Sequence, residues 1–352
     1  MTDAPLKGPK FCVWEVTLAC NARCVHCGSK AGVARECELD THEALALVRE
    51  LAQAGCFSVT LSGGEPLLRS DWPELGAAIR ESGMRLEMIT NGLAVTAQAD
   101  AIAVAGFFAV TMSVDGPAAI HDQLRGVPGG LDRLLQGAAG LKERGVRLGA
   151  CTQVNRMNLG AMDEIHALLR EHGFEGWQIQ LTMPLGLASS GPDGVCLEPK
   201  QLLELEPKIL EYQRDPAFFC QASDNVGYMS RHEPRLRSGT GRGHQFFGGC
   251  RAGLDVVGIT SDGRVRGCLS LPREFDEGGV RERPFGEIWS DPGAFAWNRD
   301  RRPKALAGSC AACPFGKVCR AGCTCLAYTS TGSMDENPYC LFALGRRSKG
   351  AR

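Results

Sequence analysis

The chain has 352 residues, 44% of them hydrophobic and 7% aromatic, enough to bury one large core and a smaller one. Its 39 lysines and arginines against 40 aspartates and glutamates leave a net charge of −1, which excludes a sequence-blind nucleic-acid binder, a class that needs a basic excess to neutralise phosphates. No run of about 18 apolar residues is present to span a membrane, and the opening MTDAPLKGPK lacks the apolar core of a signal peptide, so the expectation is a cytoplasmic protein.

Residues 11–18, FCVWEVTL, form a β-rich apolar run, and a cysteine cluster follows directly as a loop. Residues 41–55 place apolar side chains at helical spacing, with Thr41 as the candidate cap and Gly55 as the stop. The alternation then repeats. Strands are expected over 57–64, 85–92, 108–116, 147–155 and 176–184, and helices over 72–83, 97–105, 131–145, 161–173 and 201–213. Six strand–helix units in sequence mean a parallel sheet with crossover helices. The pattern stops short of eight units, so the expected fold is α/β, a partial (β/α)6 TIM-like barrel over residues 1–214. Ligands in such folds sit at the C-terminal ends of strands. The unusual segments fall there: the cysteines after strand 1, SGGEP after strand 2, TNG after strand 3 and SVDG after strand 4. Residues 215–249 read as a linker, since 233–249 is rich in glycine and arginine. The run VVGITSDGRVRGCLS (256–270) reads as a hairpin turning on Ser-Asp-Gly. A small cysteine-rich domain occupies 250–345, held by ligand bonds more than by a core, and 346–352 is a basic tail.

The 17 cysteines decide the chemistry. The count is odd, the chain is long and no export signal is visible, so a disulfide framework gives way to thiolate ligation of metal or iron–sulfur clusters. Cys12, Cys37, Cys56, Cys151, Cys196 and Cys220 are scattered and read as small buried hydrophobes. Cys20, Cys24 and Cys27 share one short loop with C-x3-C-x2-C spacing. Three thiolates there hold three irons of a cubane cluster and leave the fourth iron open to a substrate or cofactor; half of a zinc site is the alternative, although zinc more often has four protein ligands.

WEVTLACNARCVHCGSKAG, followed in order by LSGGEP, ITNG and SVDG, resembles the radical S-adenosylmethionine superfamily. The resemblance implies a [4Fe–4S] cluster on Cys20, Cys24 and Cys27 whose open iron chelates the amino and carboxylate groups of S-adenosylmethionine. One electron from an external reductant, such as flavodoxin or ferredoxin, then cleaves the sulfonium, and the resulting 5′-deoxyadenosyl radical abstracts a substrate hydrogen. By the same resemblance, Gly63 and Gly64 let backbone carbonyls approach the methionine ammonium, which a Cβ would obstruct, and Glu65 reinforces that cationic end. Ser113 and Asp115 take ribose hydroxyls or the carboxylate. Arg125, in HDQLRG, meets the carboxylate with two donors from a loop folded over the mouth. His26, where such enzymes usually carry tyrosine or phenylalanine, stacks near adenine.

The second constellation is Cys250 and Cys268, then Cys310, Cys313, Cys319 and Cys323, then Cys340. The pattern C-x12-G-x4-C … C-x2-C-x5-C-x3-C … C resembles the SPASM extension, which holds auxiliary iron–sulfur clusters; a zinc ribbon is the plain alternative. The resemblance implies one or two auxiliary clusters, one on Cys310, Cys313, Cys319 and Cys340 and a nearer one on Cys250, Cys268 and Cys323. The extra cysteine that such enzymes carry shortly after the first is missing from RAGLDVVG. Either Cys325 supplies the fourth ligand or that iron is open to substrate.

Enzymes of this kind modify ribosomally made peptides, act on porphyrin precursors, or dehydrogenate sugars and aminocyclitols. The first cluster cysteine is already residue 20, so no fused leader-peptide-binding domain is expected, and a separate leader-binding protein is the partner a peptide substrate implies. The sequence reading places peptide or protein modification first. Oxidation, decarboxylation or epimerisation of a small molecule (a sugar, an aminocyclitol or a tetrapyrrole precursor) comes second. A non-catalytic electron carrier or zinc adaptor comes last, because an adaptor has no need of the cofactor pocket that SGGEP and SVDG imply.

Overall fold

Every barrel strand carries two chemistries at alternate positions. In the computed structural model, which describes residues 8–189, 194–240, 245–301 and 306–350 (347–350 by backbone alone), Cys12, Trp14 and Val16 on β1 (Phe11–Thr17) are buried against the helices, while Val13 and Glu15 face a cavity inside the barrel. The pattern recurs on β2 (Ser58–Gly63), β3 (Arg85–Thr90), β4 (Ala109–Ser113), β5 (Leu148–Val154) and β6 (Gly176–Leu181). Val59, Leu61, Leu86, Met88, Val110, Met112, Ala150, Trp177 and Ile179 join the helix-side core. Ser62, Ile89, Ser113, Cys151, Gln153, Gln178 and Gln180 line the cavity. A period of two therefore sorts apolar side chains outward under the helices and mostly polar ones into the lumen.

The crossovers are α1 (Thr41–Gln53), α2 (Trp72–Glu81), α3 (Val95–Ala105), α4 (Ala118–Arg125) with α5 (Gly130–Glu143), α6 (Met162–Glu171) and α7 (Leu202–Tyr212). The cap of α1 is Asp40 and not Thr41: its carboxylate accepts from the Glu43 N–H at 2.8 Å, and Glu43 accepts from the Asp40 N–H at 2.9 Å, a reciprocal capping box. The Thr41 hydroxyl instead donates to Asp71, at 2.7 Å, just ahead of α2.

The sheet extends beyond the six expected strands. Its order is β10 (Asp276–Gly279), β9 (Arg264–Arg266), β8 (Val256–Ile259), β1, β2, β3, β4, β5, β6 and β7 (Phe219–Ala222). Residues 215–249, expected as a linker, contain β7 (Phe219–Ala222), parallel to β6, and the short helix α8 (Glu233–Ser238). Arg237 of α8 pairs with Glu233 at 2.8 Å and donates to the carbonyls of Ser223 and Val226 at 2.9 Å each, so this segment is tied down from inside. The hairpin expected at 256–270 is β8 (Val256–Ile259) and β9 (Arg264–Arg266), and β10 (Asp276–Gly279) extends it. β8 pairs in parallel with β1, Phe11 opposite Val256 and Trp14 opposite Ile259. Barrel and C-terminal region thus share one sheet, open between β7 and β10. The tail expected from residue 346 continues a helix, Leu341–Gly350. Among the described residues no helix is long and apolar enough to cross a membrane.

Candidate active site and cluster sites

The cysteine loop is closed at its base by the Cys20 N–H to the Gly32 carbonyl at 3.2 Å and the Gly32 N–H to the Leu18 carbonyl at 3.0 Å. Its far side docks on the end of α4, where the Arg23 and Val25 amides donate to the carbonyls of Arg125 and Leu124 at 2.9 and 3.0 Å. Arg125 is therefore the last residue of a helix and not part of a flexible loop over the mouth. The sulfurs of Cys20, Cys24 and Cys27 turn toward a cavity of about 420 Å³, within the size range of small-molecule sites. Each collects a donor. Cys20 accepts from the Ala22 N–H at 3.5 Å and from Asn91 Nδ2 at 3.7 Å, Cys24 from Arg125 at 3.8 Å, and Cys27 from the Ala31 N–H at 3.3 Å. Burial pushes the Cys20 and Cys24 thiols up, and Arg125 pulls Cys24 back down. Three sulfurs supplied with N–H donors and no fourth protein thiol in the loop fit a cubane with one open iron.

Two carboxylates lie elsewhere than expected. Asp115 is fully buried (0% exposed) and outside the cavity lining. One oxygen is 2.6 Å from Arg125 and 3.2 Å from His26; the other accepts the Gln153 N–H at 2.9 Å. Burial would raise its pKa, but Arg125 and His26 hold it well below the usual carboxylate range. Asp115 thus positions Arg125 and His26. Arg125 keeps a buried Nε–H without a partner among the described residues, a donor that fits an anionic group in the cavity. Ser113, Arg125 and His26 do line it.

Glu65 is also fully buried and faces away from the cavity. It accepts from the Thr90 hydroxyl at 2.7 Å and from the amides of Asn91 and Leu67 at 2.8 and 3.2 Å, which locks the turn after β2 to the TNG turn after β3. Burial outweighs these donors and raises its pKa to about 7. Gly63 and Gly64 have a packing reason besides the expected one. A Cβ on Gly63 would lie 2.2 Å from the Thr17 carbonyl oxygen, and one on Gly64 would lie 2.2 Å from that of Ala19. The turn clamps the chain entering the cysteine loop through the Gly64 N–H to Thr17 and the Glu65 N–H to Ala19, at 2.8 and 2.7 Å.

Sequence reasoning missed Asn91, which joins the Cys20 sulfur to Asn21 Oδ1 (2.8 Å), although TNG marked the spot. It also missed the amides Gln153, Gln178 and Gln180 on the cavity floor. The alternation in WQIQL was the available signal.

The C-terminal cysteines sort into two sets. The Cys319 thiol, pushed up to about 12 by burial, feels Cys340, Cys310 and Cys313. The Cys323 thiol, raised by burial, feels Cys250 and Cys268, and the buried Cys325 feels all three. Among the described residues no three His, Cys, Asp or Glu side chains meet closely enough for a single metal ion.

A parallel partial barrel with three half-buried thiols at its mouth, joined to a cysteine-rich region, defines an iron–sulfur enzyme. The model of the radical SAM superfamily matches residues 14–169, and that of the SPASM iron–sulfur cluster-binding domain matches residues 250–314. The chain is 31% identical over 358 residues to the AdoMet-dependent heme synthase of Methanosarcina barkeri, covering 99% of each protein. It is 32% identical over 327 residues to the Fe-coproporphyrin III synthase of the same organism, covering 87% of this chain and 81% of that one. The mycofactocin maturase MftC of Mycobacterium tuberculosis is 28% identical over 344 residues, covering 96% of this chain and 84% of its own. Among solved structures, native anSMEcpe with bound AdoMet has a TM-score of 0.72 at 18% identity, covering 97% of each chain, which shows a shared fold. The chain belongs to the radical SAM superfamily, with a C-terminal SPASM domain. It is an enzyme whose cofactors are S-adenosylmethionine, a [4Fe–4S] cluster and auxiliary iron–sulfur clusters. When bound, these groups supply one-electron reduction and hydrogen-atom abstraction; among the chain's own residues Asp115 keeps Arg125 oriented at the cavity.

Proposed function

We propose that the enzyme carries out an oxidative reaction on a tetrapyrrole precursor, decarboxylation being the first candidate: the S-adenosylmethionine-derived radical abstracts a hydrogen atom, carbon dioxide leaves, and the one remaining electron passes through an auxiliary cluster to an external acceptor. The observation that carries this reading is the end-to-end match to a heme synthase, 99% of both lengths at 31% identity, against 28% for a peptide maturase. This reverses the order that the sequence alone suggested. The lumen suits the reading. Glu15 is neutralised by Arg35, and Arg125 by Asp115, so the cavity presents amide side chains on its floor. Leu181, Met183, Leu185 and Leu269 supply apolar walls. An apolar ring with polar edges meets both.

In this reading Cys20, Cys24 and Cys27 ligate the cluster that meets S-adenosylmethionine. Arg125 and Ser113 contact the cofactor, and the turn at Gly63 and Gly64 borders its methionine end. The electron comes from an external carrier of the flavodoxin or ferredoxin kind. Anaerobic incubation of the reconstituted enzyme with S-adenosylmethionine, a low-potential reductant and iron coproporphyrin III tests it. The expected result is 5′-deoxyadenosine together with a porphyrin that has lost carboxylate groups by mass spectrometry. An unchanged porphyrin, with the cofactor still cleaved, would return the peptide reading to first place.

A further inference from the structure

We propose that Cys325 is the fourth thiolate of the iron–sulfur site formed with Cys250, Cys268 and Cys323, so that this site is closed by the protein and keeps no iron for substrate. The proposal rests on the family reading above, because the site exists only if the chain holds auxiliary clusters. Cys323 is the N-cap of the helix Thr324–Thr331, and Cys325 is its second residue. The Tyr228 hydroxyl, 2.9 Å from the Cys323 N–H, fixes the start of that helix. Both sulfurs therefore sit at the positive end of a helix, which favours thiolates.

Cys325 is 2% exposed, and its sulfur lies 2.7 Å from the Ser270 carbonyl oxygen. Ser270 stands two residues after Cys268, so two thiols remote in sequence meet at one short segment. Cys250, Cys268, Cys323 and Cys325 pack in one apolar pocket with Ala252, Leu271 and Phe275. A buried cysteine that merely fills space has no need of three other thiols around it. The competing ligand is Asp224, a carboxylate whose charge acts on Cys323 but which also lies in the field of Arg237 and Arg251.

The placement has a direction. Cys268, Leu269 and Ser270 line the active-site cavity, and Cys325 stands outside that lining. The site therefore meets the cavity along its Cys268 side, while Cys325 holds it from behind. On ligation the Cys325 thiol proton passes to solvent and no electron moves, so iron content and spectra can follow the step without turnover.

Full-length wild type, Cys325→Ala, Cys325→Ser and Asp224→Asn are reconstituted anaerobically side by side. Iron, sulfide and electron paramagnetic resonance spectra are then measured. Cys325→Ala should lose about one cluster's worth of iron or gain a three-iron signal absent from wild type. Cys325→Ser, which keeps the size of the side chain and offers an oxygen, should retain iron but shift the reduced-state spectrum of one auxiliary cluster. Asp224→Asn should match wild type. Wild-type iron and spectra in both Cys325 variants overturn the proposal, as does iron loss in Asp224→Asn alone. If Cys325→Ala fails to fold by circular dichroism, the spectrum of Cys325→Ser decides. Cleavage of S-adenosylmethionine by wild type tests the family reading separately.

Discussion

A carboxylate buried as completely as Asp115 stays ionised only beside a cation, and Arg125 provides it at 2.6 Å. Arg125→Ala should therefore act twice. It strands a buried charge, which costs on the order of 3–5 kcal/mol, and it weakens S-adenosylmethionine binding by about 1.5–3 kcal/mol, the range for a hydrogen bond to a charged group. Adding Asp115→Asn should recover stability without restoring affinity, which separates the two effects. Arg125→Lys should recover part of the affinity, since a point charge replaces a two-donor fork. Equilibrium binding and thermal midpoints on the four proteins check this; wild-type affinity in Arg125→Ala would sink it. Glu65 titrates in the opposite sense. Its folded pKa of about 7 lies above the unfolded value of about 4.3. The folded state then binds more protons, so this group's contribution is greatest below about pH 4.3 and is lost as pH rises towards 7. Glu65→Gln should flatten that stretch of the midpoint-versus-pH curve. It should also cost about 1–3 kcal/mol, because one of three donors loses its acceptor. An unchanged pH slope in the variant would refute the shift.

The six strand–helix units were legible because each strand pairs with its sequence neighbour and each helix has its own apolar stripe. What escaped is either short or set by distant partners. The four residues of β7, FCQA, are too few for a period to show, and the parallel pairing of β8 with β1 joins residues far apart in the chain. α4 has only eight residues, AAIHDQLR, and it decides where Arg125 sits. Its stop signal was readable: Gly126 has a φ of 64°, and a Cβ there would lie 2.5 Å from the Arg23 carbonyl oxygen in the cysteine loop. Gly126→Ala should therefore push the loop off α4. Beyond a left-handed backbone penalty of about 1–2 kcal/mol, iron should fall by about one cluster and S-adenosylmethionine cleavage should drop with it. The auxiliary-cluster spectra should persist. Full iron and full cleavage in this variant would show that the loop does not depend on that contact. The carboxylate roles were not legible for a related reason: SGGEP and SVDG announce strand-end turns, but whether Glu65 or Asp115 points into the lumen depends on Thr90, Asn91, Arg125 and Gln153, which arrive from other strands and helices.

Over the whole molecule the two cysteine regions are parts of one body, because β8 extends the sheet from β1 and Tyr228 reaches from the segment after β7 to the amide of Cys323. Their duties are nonetheless separable. The thiols of Cys20, Cys24 and Cys27 open on the cavity, whereas none of Cys310, Cys313, Cys319 or Cys340 lines it. On the proposed function, cleavage of S-adenosylmethionine uses the first group and its cofactor pocket, and conversion of a substrate radical to product uses the auxiliary clusters as an electron path. Cys310→Ala or Cys319→Ala should accordingly lose about one cluster's worth of iron and retain measurable cofactor cleavage, while product formation collapses by at least tenfold, about 1.4 kcal/mol. The control concerns folding, since loss of a cluster can be loss of a domain. Cys319 and Cys340 pack with Tyr228, Met229 and Phe247, so disruption there could travel to the barrel through Tyr228. Circular dichroism and the spectrum of the nearer auxiliary site should therefore match wild type before the kinetics are read. If both hold and the variants turn substrate over at the wild-type rate, the outer set clamps the fold and takes no part in the chemistry.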